Sequence, residues 1–329
     1  MLPQIFLLLL TIATRTNQER IITTLKYSTF RVAPKVIHGN PVLKGQVPYL
    51  VSIKESTINI TRAKKLWVNL CGGSIIKNTQ VLTAAHCFED KNFYYAKNFY
   101  LLRVVAGNTR NDLIDSGHTS TSEKAQWRTI VRVAIHERFN FPLNDIALVI
   151  VNTPFVFSDT VNYIIPARKL TDYPKTCIAA GFGQTGKGPE MSRELLWADI
   201  AVLSRQQCNT WWEMEMNDFI CTNSQASDVG GGDSGGPLAC YGTLDPIEQK
   251  GRDLLVGVVS GKNYDKTTLF TRVSAFDHWV KHAAPRTSIA CICKPAKIVL
   301  ILAIILSCMR LLIIFLYKPD APFTKMCTH

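Results

Sequence analysis

The chain has 329 residues, 47% of them apolar and 19% charged, with ten cysteines. That is enough apolar material for a large core, and it excludes a disordered or collagen-like chain. The formal net charge of +12 would fit a nucleic-acid binder, but a third of the excess lies in residues 1–35 and a third in 291–329. The long middle is close to balanced, so no nucleic-acid partner is expected, since that needs basic residues clustered on the fold itself.

In chain order, Ile5–Ala13 (IFLLLLTIA) is the first apolar run. It is too short to cross a bilayer and fits the core of a secretory signal, which predicts a signal peptide over 1–13. Secretion suits the cysteine count, because disulfides persist outside the cytosol. Asn59-Ile60-Thr61 is the one N-x-S/T triplet without proline, so Asn59 is a candidate glycosylation acceptor.

The middle alternates short β-branched and aromatic runs with Gly, Pro, Asn and Asp. Tyr49–Lys54, Gly73–Ile76, Leu101–Ala106, Ile146–Val151, Cys177–Gly181 and Leu254–Ser260 read as strands of an all-β barrel or sandwich. Ala275–Ala284 instead sets Phe276, Trp279 and Val280 on one helical face, and Pro285 stops it. Ile298–Tyr317 then runs for twenty residues between Lys297 and Lys318. At the helical rise this reaches about 30 Å, the thickness of the hydrocarbon core. Fourteen Leu, Ile, Val and Phe outweigh the single Arg310, which lies close enough to Lys318 to snorkel. The expectation is a membrane helix over 298–317, followed by a short tail, 318–329. The alternatives are a docking helix and a processed lipid-anchor signal, and the polar tail argues against the latter.

Three motifs carry chemistry: LTAAHC at Leu82–Cys87, NDIALV at Asn144–Val149 and GDSGGP at Gly232–Pro237. In this order and spacing they resemble the chymotrypsin/trypsin family of serine endopeptidases, over about residues 36–284. The resemblance implies two six-stranded antiparallel β-barrels with a C-terminal helix. It also implies a catalytic set of Ser234 as nucleophile, His86 as general base and Asp145 as the group that orients the imidazole. Gly232 and Ser234 would supply the amides of the oxyanion hole, and Ser260 would hydrogen-bond Asp145. Spacing alone fixes no cysteine connectivity. By position in the family, Cys71 would pair with Cys87, Cys177 with Cys240, and Cys208 with Cys221. Cys291, Cys293, Cys308 and Cys327 fall outside the resemblance: Cys308 lies in the expected span and Cys327 beyond it, while Cys291 and Cys293 are either candidates for intermolecular pairing or lipidation or inert thiols.

Lys35-Val36-Ile37-His38-Gly39 resembles the family's activation site. Cleavage after Lys35 by a trypsin-like protease would free the Val36 ammonium to pair with Asp233, a buried pair that orders the oxyanion hole. The expected organisation is thus a signal peptide, a propeptide over 14–35, a protease domain over 36–285, a linker over 286–297, and the membrane segment and tail. The enzyme would act on protein or peptide substrates at the cell surface or outside the cell. A catalytically silent homologue acting as a binding module is the rival, disfavoured because all three catalytic residue types are present. No metal or other cofactor is expected, since Asp112, Asp115 and Glu123 show no ligand spacing.

The substrate pocket departs from the family pattern. Asp228 stands six residues before Ser234, where trypsin-like members place the aspartate that binds Arg or Lys. Yet Gly230 stands where a cysteine is usual, and Ser260 is followed by Gly261-Lys262 rather than Trp-Gly. The loop from Ser260 to Phe270 is about four residues shorter than the family pattern, and Thr268 replaces a pocket-wall glycine. The expectation is a weak preference for Arg or Lys, with a loosened strand after Ser260.

Overall fold

The computed structural model describes residues 39–61, 64–111, 113–115, 125–184, 191–223, 227–262 and 267–283. The expected signal peptide, propeptide, Lys35, Val36, the 286–297 linker, the 298–317 segment and the tail lie outside them. Among the described residues no helix is long and apolar enough to cross a membrane.

The strands sort into two sheets. Strand β1 (Asn40–Pro41) opens the described chain and belongs to the second sheet. The first is built from β2 (Leu50–Thr61), β3 (Lys64–Lys77), β4 (Gln80–Thr83), β5 (Leu102–Ala106), β6 (Leu113–Asp115), β7 (Gln126–Ile135) and β8 (Ala147–Val151). Its order is β2-β5-β7-β8-β4-β3, and pairing of β2 with β3 closes six strands into a ring, with β6 added on β3. The second ring takes β10 (Thr176–Gly181), β11 (Leu196–Val202), β12 (Phe219–Asn223), β13 (Pro237–Cys240), β14 (Leu254–Lys262) and β15 (Thr268–Arg272). It runs β11-β10-β13-β14-β15-β12 and closes by pairing of β11 with β12. Strand β1 is appended to β11, and β9 (Ile165–Pro166) runs parallel to β14. Two closed six-stranded antiparallel barrels leave few free edges, which is how such sheets avoid edge pairing.

The sequence runs appear as strands, with one large extension. The expected Tyr49–Lys54 and Gly73–Ile76 runs are parts of the long β2–β3 hairpin, which continues to Thr61 and Lys64. Asn59 lies near its tip, opposite Lys65. The run Leu254–Ser260 is buried at every position, as the continuous apolar sequence requires of a strand covered on both faces. Its partner β15 is likewise wholly buried, although it reads TLFTR, because Arg272 and the threonines find partners inside.

Three helices were described less fully by the sequence. Helix α1 (Asp90–Lys97) follows the His86 segment. Helix α2 (Arg205–Trp212) begins at a capping box in which Ser204 and Gln207 satisfy each other's backbone amides. Helix α3 (Asp277–Ala283) starts two residues later than the expected Ala275–Ala284, after a 3₁₀ turn over Val273–Phe276; Phe276 of the turn and Val280 of the helix are buried in the core, and Trp279 is partly buried against it. Disulfides join Cys71 to Cys87, Cys177 to Cys240 and Cys208 to Cys221.

Candidate active site

The three motif residues converge from both barrels. His86 opens a 3₁₀ turn just after β4, and Asp145 lies two residues before β8. Ser234 lies in the loop that leads into β13. Two features tie the His86 turn to the first barrel: Cys87 is bonded to Cys71 of β3, and Thr83 Oγ1 donates to the Gly72 carbonyl at 2.8 Å.

Asp145 is fully buried and accepts four hydrogen bonds. The His86 amide donates to Oδ1 at 2.9 Å and His86 Nδ1 donates to Oδ2 at 2.7 Å. Ser260 Oγ donates to Oδ2 at 2.5 Å, and Thr271 Oγ1 donates to the Asp145 main-chain carbonyl at 2.8 Å. Two of these four donors come from the second barrel. With Nδ1 donating, the other ring nitrogen, Nε2, is left as an acceptor, which is the tautomer a general base requires. Burial disfavours the charged imidazole, but the adjacent Asp145 carboxylate overrides it, and the His86 pKa is raised above its ordinary value. Phe141 packs edge-on against the His86 ring.

The Ser234 loop is fixed by main-chain bonds. Gly72 N donates to the Ser234 carbonyl at 2.8 Å, Gly235 N to Val259 O at 2.9 Å, and Val259 N to Gly236 O at 3.0 Å. Ahead of it, Asp233 N donates to Gly230 O at 3.1 Å and Gly232 has φ +96°. This is a type II turn, whose third position needs a positive φ and so favours glycine. Asn69 Nδ2 then donates to the Gly232 carbonyl at 2.9 Å, fixing the direction of that peptide. Asn69 is itself buried and clamped: Ser52 Oγ donates to its Oδ1 at 2.5 Å, and its main-chain N–H donates to Asn111 Oδ1 at 3.0 Å. Sequence reasoning passed over Asn69, Ser52 and Asn111, since no motif surrounds them.

Asp233 is fully buried against Gly181 and Gly183, and accepts from Gly183 N at 2.7 Å and Gly230 N at 2.9 Å. No cationic side chain pairs with it among the described residues. Burial pushes its carboxyl up to about 7, against the pull of the two amides.

Asp228 is also fully buried, and it is already paired. Lys262 Nζ donates to its Oδ2 in an ion pair, Thr268 Oγ1 donates to Oδ1 at 2.7 Å, and Val229 N donates to Oδ1 at 2.9 Å. The sequence named Thr268 as a wall residue and Lys262 as a departure, but did not foresee the ion pair. The missing tryptophan is partly compensated: the position of a Cβ on Gly261 lies 3.0 Å from Phe141 Cζ, so an aromatic ring covers that stretch of β14 from another loop. The β14–β15 ladder shifts register at Ser260, between Val259 and Gly261, and pairing resumes beyond it with Gly261 opposite Leu269 and Lys262 opposite Thr268.

Cys71, His86 and Cys87 bring donor atoms within 4.8 Å of one another. The two sulfurs are joined in a disulfide and His86 is committed to Asp145, so the group does not form a metal site.

The oriented imidazole of His86 and the main chain of the Ser234 loop meet in one seam, where the Cβ position of Gly235 lies 3.1 Å from the Ala84 amide. A family model described as Trypsin matches residues 36–280. Among curated proteins, the chain is 28% identical over 266 residues to chymotrypsin-C of Mus musculus, covering 76% of this chain and 89% of that protein. It is 28% identical over 263 residues to chymotrypsin-C of Rattus norvegicus, covering 76% and 88%.

Proposed function

We infer that this chain, which belongs to the trypsin family of serine proteases, is a serine endopeptidase acting through Ser234, His86 and Asp145. The observation that carries the reading is the buried Asp145 carboxylate, held by Ser260 and by both the ring and the amide of His86. An acid fixed this way sets the imidazole tautomer and stabilises the imidazolium formed during attack. Ser234 Oγ adds to the scissile carbonyl while His86 Nε2 takes its proton. The oxyanion that forms is stabilised by the Gly232 and Ser234 amides, and His86 returns the proton to the leaving amine. Water then repeats the sequence on the acyl-enzyme. Losing one oxyanion donor typically costs ~3 kcal/mol of barrier.

The enzyme is made as a zymogen on this reading. Cleavage after Lys35 frees the Val36 ammonium, and the buried Asp233 carboxylate, without a cationic partner among the described residues, supports the need for one. Secretion, glycosylation at Asn59 and anchoring through 298–317 complete the proposal, resting on the sequence and on the three disulfides. Asp228 would favour Arg or Lys substrates only where it is free to bind them.

The deciding experiment is labelling of the activated domain by a fluorophosphonate, beside its Ser234→Ala variant. Labelling and peptide hydrolysis confined to the Ser234 form support the reading. An activated wild type that takes no label would favour the silent binding module.

A further inference from the structure

The pocket that the resemblance assigns to a substrate's basic side chain holds a basic side chain of this chain. Lys262 leaves β14 two residues after Ser260, whose hydroxyl touches Asp145, so it starts on the strand that borders the candidate catalytic residues. Its stem runs inward and its ammonium ends on Asp228, a carboxylate with no exposure to solvent, while the Lys262 side chain is only 18% exposed. Thr268, facing Lys262 across the β14–β15 ladder, donates to the other oxygen of the same carboxylate. With the Val229 amide, three donors from three points of the chain converge on Asp228.

We propose that Lys262 is the specificity-determining residue: a tethered cation that fills the primary pocket and turns the enzyme from Arg and Lys toward small uncharged side chains at the residue before the scissile bond. The inference rests on the endopeptidase reading above. A substrate arginine can reach Asp228 only by expelling Lys262, which exchanges one cation for another. The electrostatic gain that normally drives basic specificity then cancels, since the buried carboxylate is neutralised before the substrate arrives. The competitor is also intramolecular, at an effective concentration set by a four-carbon stem rather than by solution. Apparent affinity for a basic side chain falls by the fraction of time the pocket stands open. A side chain of one to three carbons needs no expulsion and is free of this penalty. Thr268 acts in the same direction, because its hydroxyl occupies an acceptor site on Asp228 and its methyl narrows the wall.

The test compares the activated wild type with Lys262→Gly and with the double variant Lys262→Gly/Asp228→Ser, which leaves no orphaned buried charge if the single variant fails to fold. Fluorophosphonate labelling first counts competent Ser234 in each. A peptide library varied before the scissile bond is then cleaved, and benzamidine binding is measured as a probe of Asp228 that needs no turnover. The wild type is expected to prefer Ala, Ser or Val. Lys262→Gly should raise kcat/KM on Arg and Lys peptides, and benzamidine affinity, by at least about tenfold. The double variant should admit larger apolar side chains that the wild type refuses. Dominant cleavage after Arg or Lys by the wild type, or a profile and benzamidine affinity unmoved by Lys262→Gly, would overturn the proposal. Should no form take the label, the endopeptidase reading fails, and the benzamidine comparison alone decides what occupies the pocket.

Discussion

Asn69 of the first barrel donates a hydrogen bond to the carbonyl of Gly232, 163 residues later and beside the nucleophile. The bond fixes the peptide after Gly232 and with it the type II turn over Gly230–Asp233. Replacing Asn69 by Leu keeps the volume but deprives both Gly232 O and Ser52 Oγ of their partner. The expected result is a fall in kcat of about 10- to 100-fold with little change in KM, somewhat less than direct loss of an oxyanion donor. Steady-state kinetics on one small peptide substrate checks it; a change confined to KM would contradict the positioning role.

The imidazole sets the acid limb of the pH profile. His86 is raised above its ordinary value, so kcat/KM should fall as pH drops through a midpoint higher than that of a free histidine. The same shift means that protonated His86 contributes stability at low pH, lost as pH rises through the folded value. Asp145→Asn removes the carboxylate responsible. The midpoint should move down, and kcat should fall by ~10³–10⁴-fold, because the tautomer is no longer enforced. A pH–rate profile of both proteins measures the two effects together.

Asp233 gives the uncleaved chain a pH dependence of opposite origin. Its carboxyl is held up near 7, so between the ordinary carboxylate range and that value the folded form keeps a proton that the unfolded form has released. Stability of the uncleaved chain should therefore decline as pH rises through this window. Asp233→Asn should flatten the decline and stabilise the chain at pH 8, while abolishing the gain of activity on cleavage after Lys35. Urea titrations at pH 5 and pH 8, with and without the substitution, provide the measurement.

The Cys71–Cys87 bridge closes a span of 16 residues directly beside His86. Removing it as Cys71→Ala/Cys87→Ala should cost about 3 kcal/mol of stability through the freed unfolded chain. Activity should fall further than stability predicts at temperatures where the protein is still folded, since the His86 turn loses its tie to β3. Denaturation midpoints and kcat below the unfolding temperature separate the two.

Much of this could be read from the sequence, for a physical reason. His86, Asp145 and Ser234 sit in local motifs because the backbone around each must take a special shape, and such shapes restrict neighbouring residue types. The strand runs were legible for the same reason: β14 is buried throughout, so its sequence is continuously apolar. The α2 capping box at Ser204–Gln207 was also present to be read. Asn69 and Lys262 were not legible as partners, because each acts across strands on a residue far away in the chain, and nothing local marks that meeting. Thr268 and Lys262 were both noticed as departures, yet only their register across β14 and β15 reveals that the two converge on one carboxylate.

The two barrels are joined at the candidate site by reciprocal support. Ser260 and Thr271 of the second barrel hold Asp145, while Gly72 and Asn69 of the first hold the Ser234 loop. Each half of the machinery is thus anchored by the half that does not carry it. A slight parting of the seam, by far less than either sheet needs to melt, removes the support of both the oriented base and the Ser234 loop at once. Under rising denaturant, turnover should vanish while the far-ultraviolet signal of both barrels is still intact, and return as soon as the seam closes.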